Sequence, residues 1–452
     1  MKEETIKKIK KEEEKDYTYH VNETGDYREA WRVFRIMAEF VDGYNFLNSL
    51  KNEVTILGSA RLDPRHKYTK MARAFGKLLA ENGYTTITGG GPGIMEAANH
   101  GAFEGKGVSV GLNIQLPFEQ RINPYVNKST AFYYFFTRKV MLTSPAHAFV
   151  YFPGGFGTFD EFFEVVDHIE LGKMCGVPII LVGKEFWEPL LELINKPCVG
   201  VGAMAEEESK DWHVVDSAEE AMAVIEKSKG AKHTCELSPM DFHHGKKVDW
   251  RVFRIMAELV EGFEFLTGLV EDVTVLGTKD IKKDSPYYMA AQKLGKQLAQ
   301  SDYAVVTGGA EGVAEAANKG ASEVKGAQSI GIGMEVRGKA RMNEFVNKSI
   351  MFSFPFTRKL IVTAPSKGFV FFPGGLGTMH QLFEILTLIQ TGKMPRIPIV
   401  LYNSEFWKPI EDYIKKVIVG KYKTISKKDL DLFQIVDDID EVVSIIDTFR
   451  KK

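Results

Sequence analysis

The segment Pro153–Glu161, PGGFGTFDE, combines the residue types of an anion site with an acid. It follows the apolar run AFVYF and opens a stretch with helical spacing, so it joins a strand to a helix. Its glycines, which let backbone N–H groups approach a ligand, are Gly154, Gly155 and Gly157. Thr158 adds a hydroxyl donor, and a helix N-terminus adds about half a positive charge. The segment predicts a phosphate cradle beside Glu161, although a glycine turn with Thr158 merely capping the helix has the same sequence.

A second glycine cluster, TGGGPGIMEAAN at residues 88–99, also joins a strand end to a helix. Two such ends in one sheet can flank a nucleotide, because ligands of open α/β sheets bind where the strand order reverses. The residues expected to contact a nucleotide here, together with one from the segment ILGSAR, are Gly90, Gly91, Gly93, Glu96 and Ser59. Taken alone the cluster is a weak signal, since glycine also allows close packing of a strand against a helix.

The chain contains one long sequence twice. WRVFRIMAEF begins at Trp31 and WRVFRIMAEL at Trp250, and the segment TRK recurs at Arg138 and Arg358. A repeat of this length exceeds the roughly 20–50 residues of solenoid units, so each copy is expected to bury its own core. The expected regions are a charged arm, a first copy, a linker and a second copy, at residues 1–27, 28–227, 228–246 and 247–452.

A TRK segment at 137–139, followed after one helix by PGGxGTxxE, resembles the Lonely Guy family of nucleoside monophosphate phosphoribohydrolases, often labelled lysine decarboxylases. The resemblance covers nearly all of the first copy, including FRIMAEF, GGGPGIMEAANHGA and GLNIQLPFEQ. It implies a Rossmann-like fold, hydrolysis of a nucleoside 5′-monophosphate to the free base and ribose 5-phosphate, and frequent dimerisation. It also implies that Arg138 and Glu161 are essential, and Lys139 is expected among the nucleotide-binding residues.

The chemistry of these residues suits that reaction. Cleavage of an N-glycosidic bond passes through an oxocarbenium-like state, and a carboxylate at Glu161 can stabilise it or orient water. Arg138 is expected to contact the phosphate or the departing base. Each residue seen alone is equally explained by a simple surface ion pair. The expected substrate is AMP or a related nucleotide, including a cytokinin-type one, and the alternative is a nucleotide- or cofactor-binding carrier without turnover.

The second copy differs from the first where chemistry is expected. It retains Arg358 and a GGLGT loop, but has Gln381 where the first copy has Glu161 and Glu311 where the first has Pro92. Glutamine preserves shape and hydrogen bonding but carries no negative charge. We expect the second copy to be non-catalytic. We also expect it to pack against the first as an intramolecular pseudo-dimer, with a further homo-oligomer left open.

Neither a cofactor nor a metal is expected. A pyridoxal phosphate decarboxylase needs a Schiff-base lysine with partners for the cofactor ring, and no such set is identifiable in the sequence. The cysteines are odd in number and have no close pair, namely Cys175, Cys198 and Cys235. They suggest neither a disulfide framework nor a zinc site, so reduced thiols are expected.

Composition indicates a globular protein with material for two cores, since 44% of the 452 residues are hydrophobic. The net charge of −2 gives no general electrostatic reason to bind nucleic acid or an acidic membrane. Since no run approaches the roughly 20 apolar residues of a membrane span, we expect a cytoplasmic protein with a small-molecule ligand.

Short apolar runs rich in β-branched residues recur in both copies, with amphipathic stretches between them. The runs are 53–60, 84–91, 109–114, 147–155 and 178–183, then 272–279, 303–310, 329–334, 368–375 and 397–403. This alternation predicts two tandem Rossmann-like α/β domains, each a doubly wound parallel sheet. Ligands of such sheets bind at the carboxyl ends of the strands, where the glycine clusters lie.

Overall fold

A computed structural model of the chain describes residues 31–115, 122–200, 212–228, 250–269, 271–336 and 338–450, without the side chains of residues 31 and 196–200. The expected arm and nearly all of the expected linker lie outside these ranges. Within them, each copy forms one parallel sheet flanked by helices.

The elements of the first copy follow the expected alternation. In chain order they are α1 (Trp31–Leu47), β1 (Glu53–Leu57), α2 (Lys67–Glu81), β2 (Thr85–Thr88), α3 (Ile94–Glu104), β3 (Ser109–Ile114), β4 (Lys128–Phe132), α4 (Phe135–Thr143), β5 (Ala148–Tyr151), α5 (Phe156–Glu170), β6 (Ile179–Val182), α6 (Lys184–Gly200), β7 (Trp212–Val215) and α7 (Ala218–Lys227).

The second copy repeats this plan, with two short helical segments just before its last strand. Its elements are α8 (Arg251–Leu266), β8 (Asp272–Leu276), α9 (Pro286–Gln300), β9 (Ala304–Thr307), α10 (Val313–Ser322), β10 (Ser329–Met334), β11 (Lys348–Phe352), α11 (Pro355–Thr363), β12 (Gly368–Phe371), α12 (Leu376–Gln390), β13 (Ile399–Tyr402), α13 (Ser404–Tyr413), a π-helical segment (Ile414–Lys421), a 3₁₀ segment (Lys427–Leu432), β14 (Gln434–Val436) and α14 (Ile439–Arg450).

Both sheets have the same strand order, β4-β3-β2-β1-β5-β6-β7 and β11-β10-β9-β8-β12-β13-β14. The strand order reverses between β1 and β5, where Val54 pairs with Ala148 and Leu57 with Tyr151. The expected doubly wound fold is confirmed. The ends of β1 and β5 therefore form the switch point at which such sheets bind ligands.

Two strands of each sheet were not expected from the sequence. They are β4 and β7 in the first copy and β11 and β14 in the second, and all four lie at sheet edges. In β4, the side chains of Lys128, Ser129 and Ala131 are exposed. An edge strand with one uncovered side needs no continuous apolar run, so the pattern that revealed the central strands is missing from it.

The two copies pack directly on each other through α5 and α12 and through α1 and α8. Phe163 and Phe383 stack at 5.4 Å between ring centroids, and Phe40 lies 5.5 Å from Phe356. One apolar cluster joins the core of the first copy to this face of the second, whereas two smaller clusters belong to the second copy alone. The expectation that each copy buries its own core is therefore incomplete for both copies, because the shared cluster also contains residues of the central strands of the second sheet, namely Phe369, Phe371, Ile399 and Leu401.

One expectation about the cysteines is wrong, because Cys175, in the loop after α5, is disulfide-bonded. In the part of the chain that the structure describes, no helix is both long enough and apolar enough to cross a membrane.

Candidate active site

A cavity of about 710 Å³ opens at the carboxyl ends of β1, β2, β3 and β5. The loops after these strands supply most of its wall, including both glycine clusters. The second copy completes the wall from the opposite side with Thr387, Gln390, Thr391, Thr424 and Ile425. The cavity thus lies at the switch point of the first sheet and at the contact between the copies.

Arg138 is held rigidly at the wall of this cavity. Its Nε donates to the carbonyl oxygen of Leu112 at 2.8 Å, and its Nη2 lies 3.9 Å from Oε1 of Glu161. A Cβ added at Gly89 would lie only 2.3 Å from Nη2, so the guanidinium fills the space that a side chain would need. The two residues expected to be essential therefore face each other within one cavity.

Glu161 lies in the second turn of α5, with its side chain 13% exposed. Burial raises the pKa of its carboxyl group to about 7, against the opposing effect of Arg138. Such a group is present in both protonation states near neutral pH, as a general acid or base requires. The Tyr151 hydroxyl donates to the backbone carbonyl of Glu161 at 3.1 Å and helps to fix this turn.

The glycine loop before α5 turns its backbone toward the cavity. Gly155, Gly157 and Thr158 line the cavity. Gly154 does not line it, and a Cβ there would lie 2.0 Å from Oγ1 of Thr158, so this glycine makes room for the threonine hydroxyl. The carbonyl of Gly154 instead accepts a hydrogen bond from Oγ1 of Thr424 in the second copy, at 2.9 Å.

The glycines of the loop between β2 and α3 have two different roles: some line the cavity and others allow the backbone to turn. Gly91 and Glu96 line the cavity, as does Ser59. Gly90 and Gly93 do not, and their φ angles of 71° and 70° lie in the left-handed region that favours glycine. A Cβ at Gly93 would also lie 2.4 Å from the carbonyl oxygen of Ser59. Gly90 and Gly93 thus shape the loop. Gly91 in the loop, Glu96 in the first turn of α3 and Ser59 after β1 reach the cavity.

Lys139 does not reach the cavity, contrary to expectation. Its Nζ lies 2.6 Å from Asp160 Oδ1, 3.0 Å from Glu164 Oε2 and 3.7 Å from Glu384 Oε1 of the second copy. Burial alone would lower the pKa of Lys139, but the three carboxylates raise it well above its ordinary value. The residue holds an ion cluster between the copies, because its buried partner Asp160 draws it away from the ligand side.

Sequence reasoning missed Asn113 and every residue that the second copy contributes. Asn113 lies on β3 and lines the cavity, and its Oδ1 is buried without a hydrogen-bond partner among the described residues. The second copy has Gly333 at the matching position of SIGIGM. That difference between the copies was the available signal. No signal in one linear sequence shows which residues of the second copy face the first.

A second cavity, of about 520 Å³, lies at the matching place in the second copy. Arg358 and Gln381 line it, and Nε of Arg358 donates to the carbonyl of Ile332 at 3.0 Å. The first copy contributes Asp167 and Glu170 to its wall. The two sites are therefore built alike but carry different charged groups.

Three buried groups near this second cavity, in Asp167, His168 and His380, have ligand atoms within 4.8 Å of one another. However, Nζ of Lys359 lies 2.8 Å from Nδ1 of His380. Burial, together with Lys359, also lowers the pKa of His168 to about 4. An ammonium group beside the ligand atoms repels a cation, so we assign no metal to this cluster.

A family model described as possible lysine decarboxylase matches residues 95–225 and 314–446, more than half of the chain. The chain belongs to this family. Each copy carries its own match, which confirms a tandem duplication of a Lonely Guy-type domain. The first match includes Arg138 and Glu161, and the second includes Arg358 and Gln381.

Two relatives in this family are named as cytokinin riboside 5′-monophosphate phosphoribohydrolases. The protein of Rhodococcoides fascians is 26% identical over 149 residues, which are 32% of this chain and 75% of the relative. The protein of Oryza sativa subsp. japonica is 31% identical over 154 residues, which are 33% of this chain and 62% of the relative.

Solved structures with a similar fold include carriers of the molybdenum cofactor. The molybdenum cofactor carrier protein of Chlamydomonas reinhardtii is 19% identical, with a TM-score of 0.32 over 40% of this chain and 99% of that one. The molybdenum cofactor binding protein of Rippkaea orientalis is also 19% identical, with a TM-score of 0.30 over 39% and 94% of the two chains.

The description of the family model does not fit the first cavity. A pyridoxal phosphate decarboxylase binds its cofactor through a lysine Schiff base. Among the described residues, none of those that line the first cavity is a lysine. The charged residues that line this site are two arginines, Arg61 and Arg138, and two glutamates, Glu96 and Glu161, with Arg138 facing Glu161.

Proposed function

We propose that the first copy hydrolyses the N-glycosidic bond of a nucleoside 5′-monophosphate, releasing the free base and ribose 5-phosphate. The observation that carries this proposal is the pair of Arg138 Nη2 and Glu161 Oε1, 3.9 Å apart on the wall of a cavity beside a glycine-rich helix N-terminus. The names of two family relatives support it. AMP or a related nucleotide, including a cytokinin-type one, is the proposed substrate.

The 5′-phosphate binds at the start of α5 in this proposal. Gly155, Gly157 and Thr158 line the cavity there, and the amides of a helix N-terminus attract an anion. Glu161 lies one turn further along the same helix. A phosphate bound at the loop therefore places the ribose of the nucleotide beside this carboxyl group. The binding of the phosphate thus orients the sugar for reaction.

Ionised Glu161 stabilises the oxocarbenium-like transition state and orients the attacking water. The new C1′–O bond forms as the C1′–N bond breaks, and the electron pair of the broken bond leaves with the base. Glu161 accepts the proton of the attacking water, and the nitrogen of the departing base takes up a proton, so that the products are the neutral base and ribose 5-phosphate. Arg138 contacts the phosphate or the departing base. Ser59, Gly91 and Glu96 complete the nucleotide contacts.

The second copy is non-catalytic in this proposal, and the two copies act as an intramolecular pseudo-dimer. Gln381 lies where the first copy has the glutamate that the proposed reaction uses. The wall of the second cavity includes the acid Asp167, whereas the matching position in the wall of the first cavity is the uncharged Thr387. The second copy nevertheless packs on α5 and forms part of the first cavity. Its role is to complete the first site.

The first prediction tests the pair directly. The full chain should release adenine and ribose 5-phosphate from AMP, as measured by chromatography. Glu161→Gln and Arg138→Ala should each reduce the rate by about 10²-fold or more, the scale for a lost acid/base or charge-stabilising group. Arg358→Ala, the same change in the second copy, is the matched control and should reduce it far less.

Three outcomes distinguish the possibilities. Adenosine should be a much poorer substrate than AMP, because it lacks the group that the glycine loop binds. Binding of AMP without turnover by the wild-type chain would select a nucleotide carrier instead. Undiminished turnover in both variants would rule out the assignment of the pair.

A further inference from the structure

The first copy's cavity contains two polar groups of the second copy with no described partner. Thr387 and Gln390 lie on the last turns of α12 and line this cavity. Oγ1 of Thr387 and Nε2 of Gln390 are buried and make no hydrogen bond with the described residues. A buried donor without a partner is costly, so unpaired donors at a cavity wall indicate a bound acceptor.

Thr387 lies beside the proposed phosphate loop. A Cβ added at Gly157, in the first turn of α5, would lie 3.7 Å from the methyl carbon Cγ2 of Thr387. The Thr387 side chain is only 3% exposed, so packing fixes its position. Gln390 lines the same cavity three residues further along α12. The N-terminus of α5 therefore lies next to Thr387, in a cavity whose wall also includes Gln390.

The same point in the second cavity carries acids. Asp167 and Glu170, on the last turns of α5, line that cavity as Thr387 and Gln390 line the first. A Cβ added at Gly377, in the first turn of α12, would lie 3.0 Å from Oδ1 of Asp167. A carboxyl group of the protein itself therefore sits where the second glycine loop would hold a phosphate.

We propose that these reciprocal helix ends decide which copy accepts a phosphorylated ligand. Thr387 and Gln390 donate hydrogen bonds to the phosphate in the first site. Asp167, with Glu170 one turn further along α5, excludes an anion from the start of α12 by occupying the space beside Gly377. Five cationic side chains also line the second cavity, so the exclusion acts through this local blockage and not through the net charge of the cavity; they are Lys279, Lys339, Arg341, Arg358 and Lys359. This inference rests on the proposed function for the identity of the ligand and adds a binding role for the second copy.

The test is isothermal titration of full-length Glu161→Gln, which binds without turnover, with AMP, adenosine and inorganic phosphate as separate probes. We expect one AMP per chain. Adding Thr387→Asp and Gln390→Glu, which gives the first site the chemistry of the second, should weaken AMP and phosphate binding by about 10-fold or more, the scale of one lost hydrogen bond to a charged group. Adenosine binding should change much less.

Two further variants separate a phosphate contact from a structural role. Thr387→Val keeps the shape and removes the hydroxyl, so it should weaken AMP binding while leaving the thermal midpoint nearly unchanged. The reciprocal change, Asp167→Thr with Glu170→Gln, should raise the AMP stoichiometry above one per chain.

The proposal is overturned if the unmodified second site binds AMP as tightly as the first, if AMP and adenosine binding weaken equally, or if neither AMP nor phosphate binds. Tight AMP binding by a wild-type chain that does not hydrolyse it overturns only the proposed function, because the stoichiometry and the effects of the Thr387 variants are still measured.

Discussion

Glu161 meets two opposing requirements with one carboxyl group. The proposed hydrolysis needs its negative charge beside the ribose, whereas its position in the wall of the cavity removes the water that would stabilise that charge. Arg138, 3.9 Å away, offsets part of this cost without forming a close ion pair. The result is a group whose pKa is raised to about 7, first by burial. An arginine in tighter contact would stabilise the carboxylate and leave it less reactive.

This pKa predicts the acid limb of the pH profile. The ionised form of Glu161 is the active one in the proposed reaction, and kcat/KM reports the groups of the unliganded protein. We therefore expect kcat/KM for AMP to rise through about pH 7 and level off above it. The second pKa of the substrate phosphate lies lower, at about 6, so its own contribution falls at lower pH. The measurement is kcat/KM against pH. A kcat/KM that is constant across this range would contradict the role given to Glu161.

The same shift predicts a change in stability on substitution. Burial raises the pKa of Glu161 in the folded protein to about 7 from its ordinary value of 4.5. The folded protein holds the proton of this carboxyl group more tightly than the unfolded chain does. The stabilisation that results is fully present below about pH 4.5 and is lost as the pH rises through about 7. Glu161→Gln, which lacks this titration, should gain on the order of 3 kcal/mol over the wild type between these limits. Thermal midpoints at low and high pH measure it, and a pH-independent difference would refute it.

At the scale of elements, the glycine loops hold side chains as well as ligands. The guanidinium of Arg138 rests where the loop after β2 has Gly89, and the threonine hydroxyl of Thr158 rests where the loop after β5 has Gly154. A glycine-rich loop in this fold therefore cannot be interpreted only as backbone exposed to a nucleotide. Part of its glycine content makes room for the side chains of Arg138 and Thr158.

Gly89→Ala tests this packing. The added methyl group would lie 2.3 Å from Nη2 of Arg138 and 3.0 Å from Sδ of Met95, so the guanidinium must leave its hydrogen bond to Leu112. We expect kcat/KM for AMP to fall by about 10-fold or more, since small misplacements of a catalytic group are costly. The control is Gly308→Ala in the second copy, where the added Cβ would lie 2.9 Å from Nη2 of Arg358. Equal kinetic effects of the two changes would contradict the argument.

The sequence predicted the central strands and the fold because buried parallel strands have apolar runs that end in glycine. It also predicted that Arg138 and Glu161 would share a site, which the structure brings together in one cavity. It placed Lys139 wrongly, because adjacent residues on a helix point in different directions and Asp160 binds its ammonium group. It could not predict Thr387 or Gln390, since their role depends on how two distant helices pack.

At the scale of the whole molecule, the duplication gives two matching cavities, each with a wall that combines residues of both copies. α5 carries the glycine loop at its start and Asp167 near its end, and α12 carries the matching loop and Thr387. Because the two helices pack on each other, the end of each one reaches the loop of the other. Changes at either helix end alter the opposite site. A duplicated chain can vary these ends independently, whereas a dimer of identical chains cannot.

The last prediction concerns the linker. A protease site inserted between the copies, within residues 229–249, should be cleaved without loss of AMP hydrolysis, and the fragments should co-elute on gel filtration. The reason is the apolar contact between α5 and α12, in which Phe163 and Phe383 stack at 5.4 Å and both are buried. The linker raises the effective concentration of one copy near the other, so it favours their association. Once the two copies are packed together, cleavage of the linker should have little effect.

Phe383→Asp in the cleaved protein is the matched variant. Burying a charge in this interface should separate the fragments, and the first copy alone should then lose activity because its cavity lacks the wall that Thr387 and Thr424 provide. In the uncleaved chain the same change should be milder, since the linker keeps the copies together. If the separated first copy hydrolyses AMP at the full rate, the second copy does not contribute to this site.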